Sequence, residues 1–221
     1  MATINKQIEE RLQCIEARLP NGEIVEIHEN VKEIKEILLD PEDGLIVRVN
    51  KNTYWRREID ADEFKALVRW KQTISQPFVV AYMTDILDVQ SSHKVLDIGM
   101  GSGYQSAILS KLSKEVYAVE IIKELAEKTK KVLTDYKNIK IRIGDGYEGW
   151  AEYAPYDRIM VAAKVNKIPK KMLNQLVDGG KMIIPLVTEK REKLVLVTKT
   201  NTSYKQESLI GVRFVPLVEK E

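Results

Sequence analysis

The sequence has few of the residues that build disulfides and metal sites. It contains one cysteine, Cys14, and two histidines, His28 and His93, among 221 residues. A single cysteine cannot form a disulfide within the chain, and two distant histidines supply too few ligands for a zinc site. The composition therefore predicts a protein that holds no metal.

Long apolar runs are also missing. The first residues, MATINKQIEERLQ, are charged and lack the apolar core of a signal peptide, and no segment approaches membrane-spanning length. With 35 basic and 33 acidic residues, the net charge is only +2. Such a balance does not favour a nucleic-acid backbone or a membrane surface as a partner. We therefore expect a cytoplasmic protein that binds neither nucleic acid nor membrane.

From about Lys94 onward, strand-like and helical segments alternate. Apolar runs such as KVLDIG, EVYAVE and YDRIMVAA are separated by amphipathic stretches such as YQSAILSKLS and IKELAEKTKKVLTDY. This alternation is typical of βαβ units and predicts an α/β three-layer fold with a mostly parallel sheet. We also expect a helix over PKKMLNQLVDGG, ended by its two glycines, and an antiparallel hairpin at the sheet edge near the C-terminus.

The first 70 residues have a different pattern. INKQIEERLQCIEARL has helical periodicity, EIVEIHE alternates like a strand, and LIVRVNKNTYWRREI is typical of a long strand or a hairpin. We therefore predict a small α+β appendage over residues 1–70, which docks a substrate or partner, and a main domain over residues 71–221.

The stretch VLDIGMGSGYQ places glycines at Gly99, Gly101 and Gly103. The dinucleotide fingerprint G-x-G-x-x-G would instead need its third glycine at Tyr104. Asp97, two residues before the first glycine, would repel a pyrophosphate. The turn therefore favours a ligand that has no phosphate and a cationic end, and S-adenosylmethionine carries both a sulfonium and an ammonium group.

Two more acidic residues follow the next two predicted strands. Glu120 ends EVYAVE and can accept hydrogen bonds from two ribose hydroxyls, while Asp145, followed by Gly146, can reach an adenine amino group. Each acidic residue alone would also fit a solvated charge at a strand end. Because ligands of such sheets bind at the carboxyl ends of strands, the three together predict S-adenosylmethionine as the cofactor and S-adenosyl-L-homocysteine as its product.

Upstream lies KQTISQPFVVAYMTDIL. Together with VLDIGMGSGYQSAILSKL, VEIIKELAE, IRIGDGYEGW, APYDRIMVAA, LVDGGKMIIPL and VRFVPL, it resembles the protein-L-isoaspartate O-methyltransferase family over roughly residues 71–218. The resemblance implies a Rossmann-like class I methyltransferase fold. It also implies methyl transfer to the free carboxylate of isoaspartyl residues in damaged peptides or proteins. The ester then closes to a succinimide that reopens partly to aspartate.

The resemblance also implies site residues. Ser75 is the family's active-site serine, whose hydroxyl would orient the acceptor carboxylate, and Thr73 and Ile74 would close over the donor. The acceptor is already ionised near neutral pH, because a carboxyl group has a reference pKa of about 4. Catalysis then needs positioning and exclusion of water more than a strong base. Ser75 is equally placed to cap a helix that begins near Pro77, and the two roles are compatible.

On the acceptor side, Arg213 in VRFVPL also matches the family. It would either pair with an acceptor carboxylate or face solvent. The chain departs from the family after the fourth strand, where AAKVNKIP replaces small residues and a proline. We therefore expect Lys164 and Val165 to contact the acceptor or to narrow its groove. The family's usual N-terminal elements are not recognisable in residues 1–70.

Both departures lie on the acceptor side, so methyl transfer follows more directly than the identity of the acceptor. We expect an enzyme that methylates isoaspartyl residues. Two other functions stay open: esterification of an aspartate side chain in a dedicated peptide or protein, and a non-catalytic scaffold or sensor that binds S-adenosylmethionine. The sequence does not predict an oligomeric state.

Overall fold

The computed structural model describes residues 77–188, 191–201 and 203–219. The predicted appendage lies outside the described residues, as do Thr73, Ile74 and Ser75. The chain divides into two units, residues 1–85 and 86–221, and all the strands described below belong to the second. The predicted domain boundary at residue 70 stays a prediction.

Helices and strands alternate along the described chain. They are α1 (Pro77–Leu87), β1 (Lys94–Ile98), α2 (Tyr104–Leu112), β2 (Glu115–Glu120), α3 (Lys123–Val132), β3 (Ile139–Ile143), β4 (Tyr156–Val161), α4 (Lys170–Asn174), β5 (Leu176–Val187), β6 (Glu192–Thr200) and β7 (Ser203–Gly211). Single 3-10 turns occur at Leu133–Asp135, Gly146–Glu148 and Ala151–Tyr153.

The strands form one seven-stranded sheet in the order β3-β2-β1-β4-β5-β6-β7. Strands β1 to β5 pair in parallel, whereas β6 runs antiparallel to both β5 and β7. The predicted α/β fold with an antiparallel C-terminal edge hairpin is therefore confirmed. From β1 the chain builds outward to β3 and then returns to the other side of β1 for β4. This reversal makes a crevice at the carboxyl ends of β1 and β4, where ligands of such sheets bind.

The central strands are apolar because they are buried on both faces. In β1, Val95, Leu96 and Ile98 have no exposed surface. One core cluster extends from these strands to Trp150. At the sheet edge, by contrast, the first six residues of β7, SYKQES, are all exposed. The polar sequence of β7 therefore follows from its position at an edge.

The predicted helix over PKKMLNQLVDGG is wrong in its second half. Helix α4 ends at Asn174, and the chain then joins the sheet as β5. Tyr156 donates its backbone N–H to the Gln175 carbonyl at 2.7 Å, and Leu176 pairs with Tyr156. The register of β4 and β5 shifts just after this pair, and Gly179 there has φ +73°. The glycines therefore form an irregularity within a strand, where the sequence pattern predicted a helix end.

Beyond β7, residues 212–219 do not continue as a strand. The segment runs back to the loop after β4, where Pro216 forms an isolated parallel bridge with Lys164. Arg213 therefore lies after the edge strand and not within it.

Candidate active site

The turn between β1 and α2 is built from glycines in the left-handed region. Gly99, Gly101 and Gly103 have φ of +82°, +57° and +86°, which residues with a Cβ rarely adopt. The backbone N–H groups of Gly99 and Met100 both donate to the Val119 carbonyl, at 2.9 and 3.2 Å. The turn is thus attached to β2 and has a defined shape at the carboxyl ends of β1 and β2.

Helix α3 packs directly against this turn. A Cβ on Gly103 would lie 2.6 Å from Thr129 Cγ2 and 2.9 Å from Leu133 Cδ1. Thr129 is buried, and its hydroxyl donates to the Gly101 carbonyl at 2.6 Å. Sequence reasoning missed Thr129. Its only signal was its place on the apolar face of a predicted amphipathic helix.

Asp97 is fully buried in β1, one residue before the strand ends. Its Oδ2 accepts a hydrogen bond from the Ser106 hydroxyl at 2.6 Å, whereas Oδ1 finds no partner within the part of the chain that the structure describes. Burial raises the pKa of the Asp97 carboxyl to about 6, the Ser106 hydrogen bond opposes this rise, and the charge of Glu120 adds to it. A buried, half-paired carboxylate is unfavourable until a donor group or a cation meets it.

Glu120 ends β2 and is almost completely buried. Its Oε2 accepts from the Gly101 N–H at 3.0 Å, and its Oε1 accepts from the Ile122 N–H at 2.9 Å. Each carboxylate oxygen has two lone pairs. The side chain is therefore held in one position and retains acceptor capacity for hydroxyl groups of a ligand.

Asp145 follows β3 at the same rim of the sheet. The preceding residue, Gly144, donates its N–H to the Glu120 carbonyl at 2.9 Å, which places the ends of β2 and β3 side by side. Asp145 Oδ1 accepts from the Tyr147 N–H at 2.8 Å and so caps the 3-10 turn Gly146–Glu148. The predicted convergence of Asp97, Glu120 and Asp145 on neighbouring strand ends agrees with the geometry.

Gly146 is a point of close approach beside these acidic groups. A Cβ there would lie 2.7 Å from Ile98 Cγ2 and 3.0 Å from Leu217 Cδ1. Only glycine therefore lets the turn after β3 pack against both the end of β1 and Leu217. The sequence marked Gly146 as a site residue but gave no sign of its contact with Leu217.

The two residues after β4 that were predicted to contact the acceptor both contact other parts of this chain. The Lys164 ammonium lies 2.5 Å from Glu192 Oε1, so it is engaged within the chain. Val165 is 2% exposed, and its side chain belongs to the hydrophobic core. Arg213 is exposed. Sequence reasoning missed Glu192, because nothing in the pattern connects two residues that lie 28 positions apart.

The ligand contacts assigned to the three glycines, to Asp97, Glu120, Asp145 and Gly146, and to the residues on the acceptor side stay predictions, as do those of Ser75, Thr73 and Ile74. Within the described ranges, the structure has no group of three His, Cys, Asp or Glu side chains that could hold a metal ion. None of the described helices is long and apolar enough to cross a membrane.

The family model for protein-L-isoaspartate(D-aspartate) O-methyltransferase matches residues 44–221. The chain belongs to this family. The match begins within residues 1–70, upstream of the segment in which the sequence motifs were recognised. The predictions of the family, of the fold and of a methyltransferase enzyme are therefore confirmed, and membership supports S-adenosylmethionine as the methyl donor.

Relatives agree with this assignment. The protein-L-isoaspartate O-methyltransferase of Dictyoglomus turgidum is 50% identical over 152 residues, which cover 68% of this chain and 69% of the relative. The enzyme of that name from Picosynechococcus is 47% identical over 152 residues, covering 68% of each protein.

Two solved structures are similar as well. One protein-L-isoaspartate O-methyltransferase superposes with a TM-score of 0.62 at 29% identity. The alignment covers 66% of this chain but only 48% of that one, so this chain spans about half its length. A beta-aspartate methyltransferase structure from Plasmodium falciparum, in complex with S-adenosyl-L-homocysteine, gives a TM-score of 0.61 at 26% identity and covers 67% and 77% of the two chains.

Two alanine substitutions in the turn should differ in stability. Gly103→Ala combines a left-handed backbone with a clash against Thr129 and Leu133, and we expect it to lower the free energy of unfolding by about 2–4 kcal/mol. Gly101→Ala has only the backbone cost, about 1–2 kcal/mol, because its nearest neighbour would be 3.8 Å away. Urea unfolding measures both. Equal losses of unfolding free energy in the two variants would contradict the close packing of Thr129 and Leu133 against Gly103.

Asp97 should make stability fall as pH rises from about 4 to 6. Its pKa is higher in the folded protein than in the unfolded chain, so the folded state binds more protons in this window, and ionisation then costs stability. Asp97→Asn should remove this dependence and gain up to about 3 kcal/mol over the wild type at pH 7. Urea unfolding at pH 4.5 and 7.5 tests this, with the exposed Asp178→Asn as control. If Asp97→Asn raises the free energy of unfolding equally at both pH values, the raised pKa of Asp97 is refuted.

Proposed function

We propose that this chain transfers the methyl group of S-adenosylmethionine to the free carboxylate of L-isoaspartyl residues in peptides or proteins, as a repair enzyme. One observation carries the donor side of this proposal. The fully buried Asp97 carboxylate has one oxygen without a partner among the described residues, beside a turn whose three glycines all have positive φ. Such a group fits a ligand with a cationic end and disfavours a phosphate.

The other strand ends complete the donor half. Asp97 receives the ammonium end, Glu120 accepts from the ribose hydroxyls, and Asp145 with Gly146 receives the adenine. Gly99, Gly101 and Gly103 let the backbone approach the ligand closely. When bound, the cofactor supplies a methyl group made electrophilic by its sulfonium. These residues thus fit S-adenosylmethionine, the cofactor that the family implies.

The acceptor half needs no strong base. A carboxylate is already ionised at neutral pH, so the chain's task is to remove water and to align one oxygen. In this proposal Ser75 donates a hydrogen bond that orients the acceptor, while Thr73 and Ile74 close over the donor. The exposed Arg213 offers a guanidinium to a second carboxylate oxygen or to a neighbouring carboxylate.

Glu120→Gln should weaken binding of S-adenosyl-L-homocysteine by about tenfold or more. An amide has a single acceptor oxygen, so its NH₂ end would face the N–H of either Gly101 or Ile122 and could not accept from a ribose hydroxyl. Glu115→Gln is the matched control, because Glu115 begins the same strand at the opposite end. Calorimetric titration gives both dissociation constants. Equal affinities for the two variants would exclude Glu120 from the donor site.

The acceptor is tested with labelled S-adenosylmethionine and two peptides that differ only in one isoaspartyl or aspartyl linkage. We expect label in the isoaspartyl peptide, and Ser75→Ala should lower kcat/KM for it by about 10- to 100-fold. Label in the aspartyl peptide alone would instead favour a dedicated aspartyl methyltransferase. Binding of S-adenosyl-L-homocysteine without transfer to either peptide would favour a scaffold or sensor. The comparisons favour neither alternative.

A further inference from the structure

The chain after β7 is attached to the loop after β4 along several residues. We call residues 212–217 the C-terminal segment. Lys164 donates its backbone N–H to the Val215 carbonyl at 2.8 Å, and its own carbonyl accepts from the Leu217 N–H at 2.9 Å. The middle and the end of the segment are thus paired with the backbone of one residue.

The beginning of the C-terminal segment is held by Glu192, the first residue of β6. Its backbone carbonyl accepts from the Val212 N–H at 3.1 Å, and its Oε2 accepts from the Phe214 N–H at 3.1 Å. Its Oε1 is the partner of the Lys164 ammonium. One carboxylate therefore joins the loop after β4 to the segment through a side chain on one side and a backbone amide on the other.

The Lys164–Glu192 pair is shielded, unlike most surface pairs. The side chains of Lys164 and Glu192 are 27% and 19% exposed, whereas those of the Lys171–Glu148 pair are 63% and 52% exposed. Burial raises the pKa of Glu192, but the hydrogen bonds from Lys164 and Phe214 and the charges of Lys164 and Arg213 outweigh this and hold it below its usual value. The carboxylate therefore stays ionised, and a shielded pair constrains geometry more than an exposed one.

The C-terminal segment connects the donor half of the proposed site to Arg213. At one end, Leu217 contacts the position of Gly146 in the donor half. At the other end is the exposed Arg213. The donor groups occupy the ends of β1, β2 and β3, and β4 is the next strand beside β1. This order favours approach of an acceptor carboxylate from the side of β4, where the segment is attached.

We propose that Lys164 and Glu192 form a positioning ion pair that fixes the C-terminal segment, and with it Arg213, on the acceptor side of the site. The proposal rests on the proposed function, because it assumes a carboxylate acceptor. Glu192 neutralises Lys164, so Arg213 and not Lys164 supplies the positive charge that meets the acceptor. The pair acts through the segment, and neither of its members touches the reacting atoms.

Kinetics of Lys164→Met, Glu192→Gln and the double variant test the pair. We expect each single change to raise KM for an isoaspartyl peptide about tenfold, while kcat and the affinity for S-adenosyl-L-homocysteine stay within about twofold. The KM of the double variant should be no higher than that of the poorer single variant, because both changes remove the same interaction. The matched control is Lys171→Met, which breaks the exposed pair and should leave KM unchanged.

Independent, multiplying effects of the two changes, or an unchanged KM in both single variants, would overturn the proposal. Hydrogen exchange of the Phe214 amide gives a readout without substrate. It should be faster in Lys164→Met and Glu192→Gln than in the wild type and in Lys171→Met. If the wild type does not methylate isoaspartyl peptide, the proposed function fails, and the exchange rates still decide whether the pair fixes the segment. Unchanged exchange rates in an active enzyme would refute the positioning pair alone.

Discussion

The constraint around which this site is organised is a buried carboxylate, one of whose oxygens has no partner among the described residues. Asp97 lies in the middle strand of the parallel part of the sheet, is fully buried, and accepts a hydrogen bond from Ser106. An aspartate in such a place is unfavourable for folding. Its presence is explained if a ligand supplies the missing partner, because the charge is then neutralised where the protein cannot neutralise it itself.

In the proposed function, the groups around Asp97 serve both folding and binding of the donor. Glu120 holds the glycine turn through the Gly101 N–H and also presents its remaining lone pairs at the rim. Thr129 packs against the other side of the turn. Its methyl group leaves no room for a side chain at Gly103, and its hydroxyl donates to the Gly101 carbonyl. In the proposed function, strand ends and a turn of defined shape form the donor site, and the further proposal makes the acceptor side depend on the attachment of the C-terminal segment near Lys164.

The positions of Asp97, Glu120 and Asp145 at neighbouring strand ends were predictable because their signals are local in sequence. Three glycines next to Asp97, and acidic residues at successive strand ends, follow from spacing alone once parallel strands are assumed. Ser106, Thr129 and Glu192 were not predictable, since each acts through a contact that exists only after the chain has folded. The glycines after α4 were misinterpreted for a related reason. Two glycines fit a helix end as well as a strand irregularity. The pairing of Leu176 with Tyr156 places them in a strand.

The most direct test of the account is the proton balance when S-adenosyl-L-homocysteine binds, since this product keeps the ammonium group. Calorimetry at pH 6 in two buffers of different ionisation enthalpy measures it. With the Asp97 pKa at about 6, pairing with the ammonium should release about half a proton per site, and Asp97→Asn should release none. Binding that releases no proton, or the same number in both proteins, would contradict the central role of Asp97.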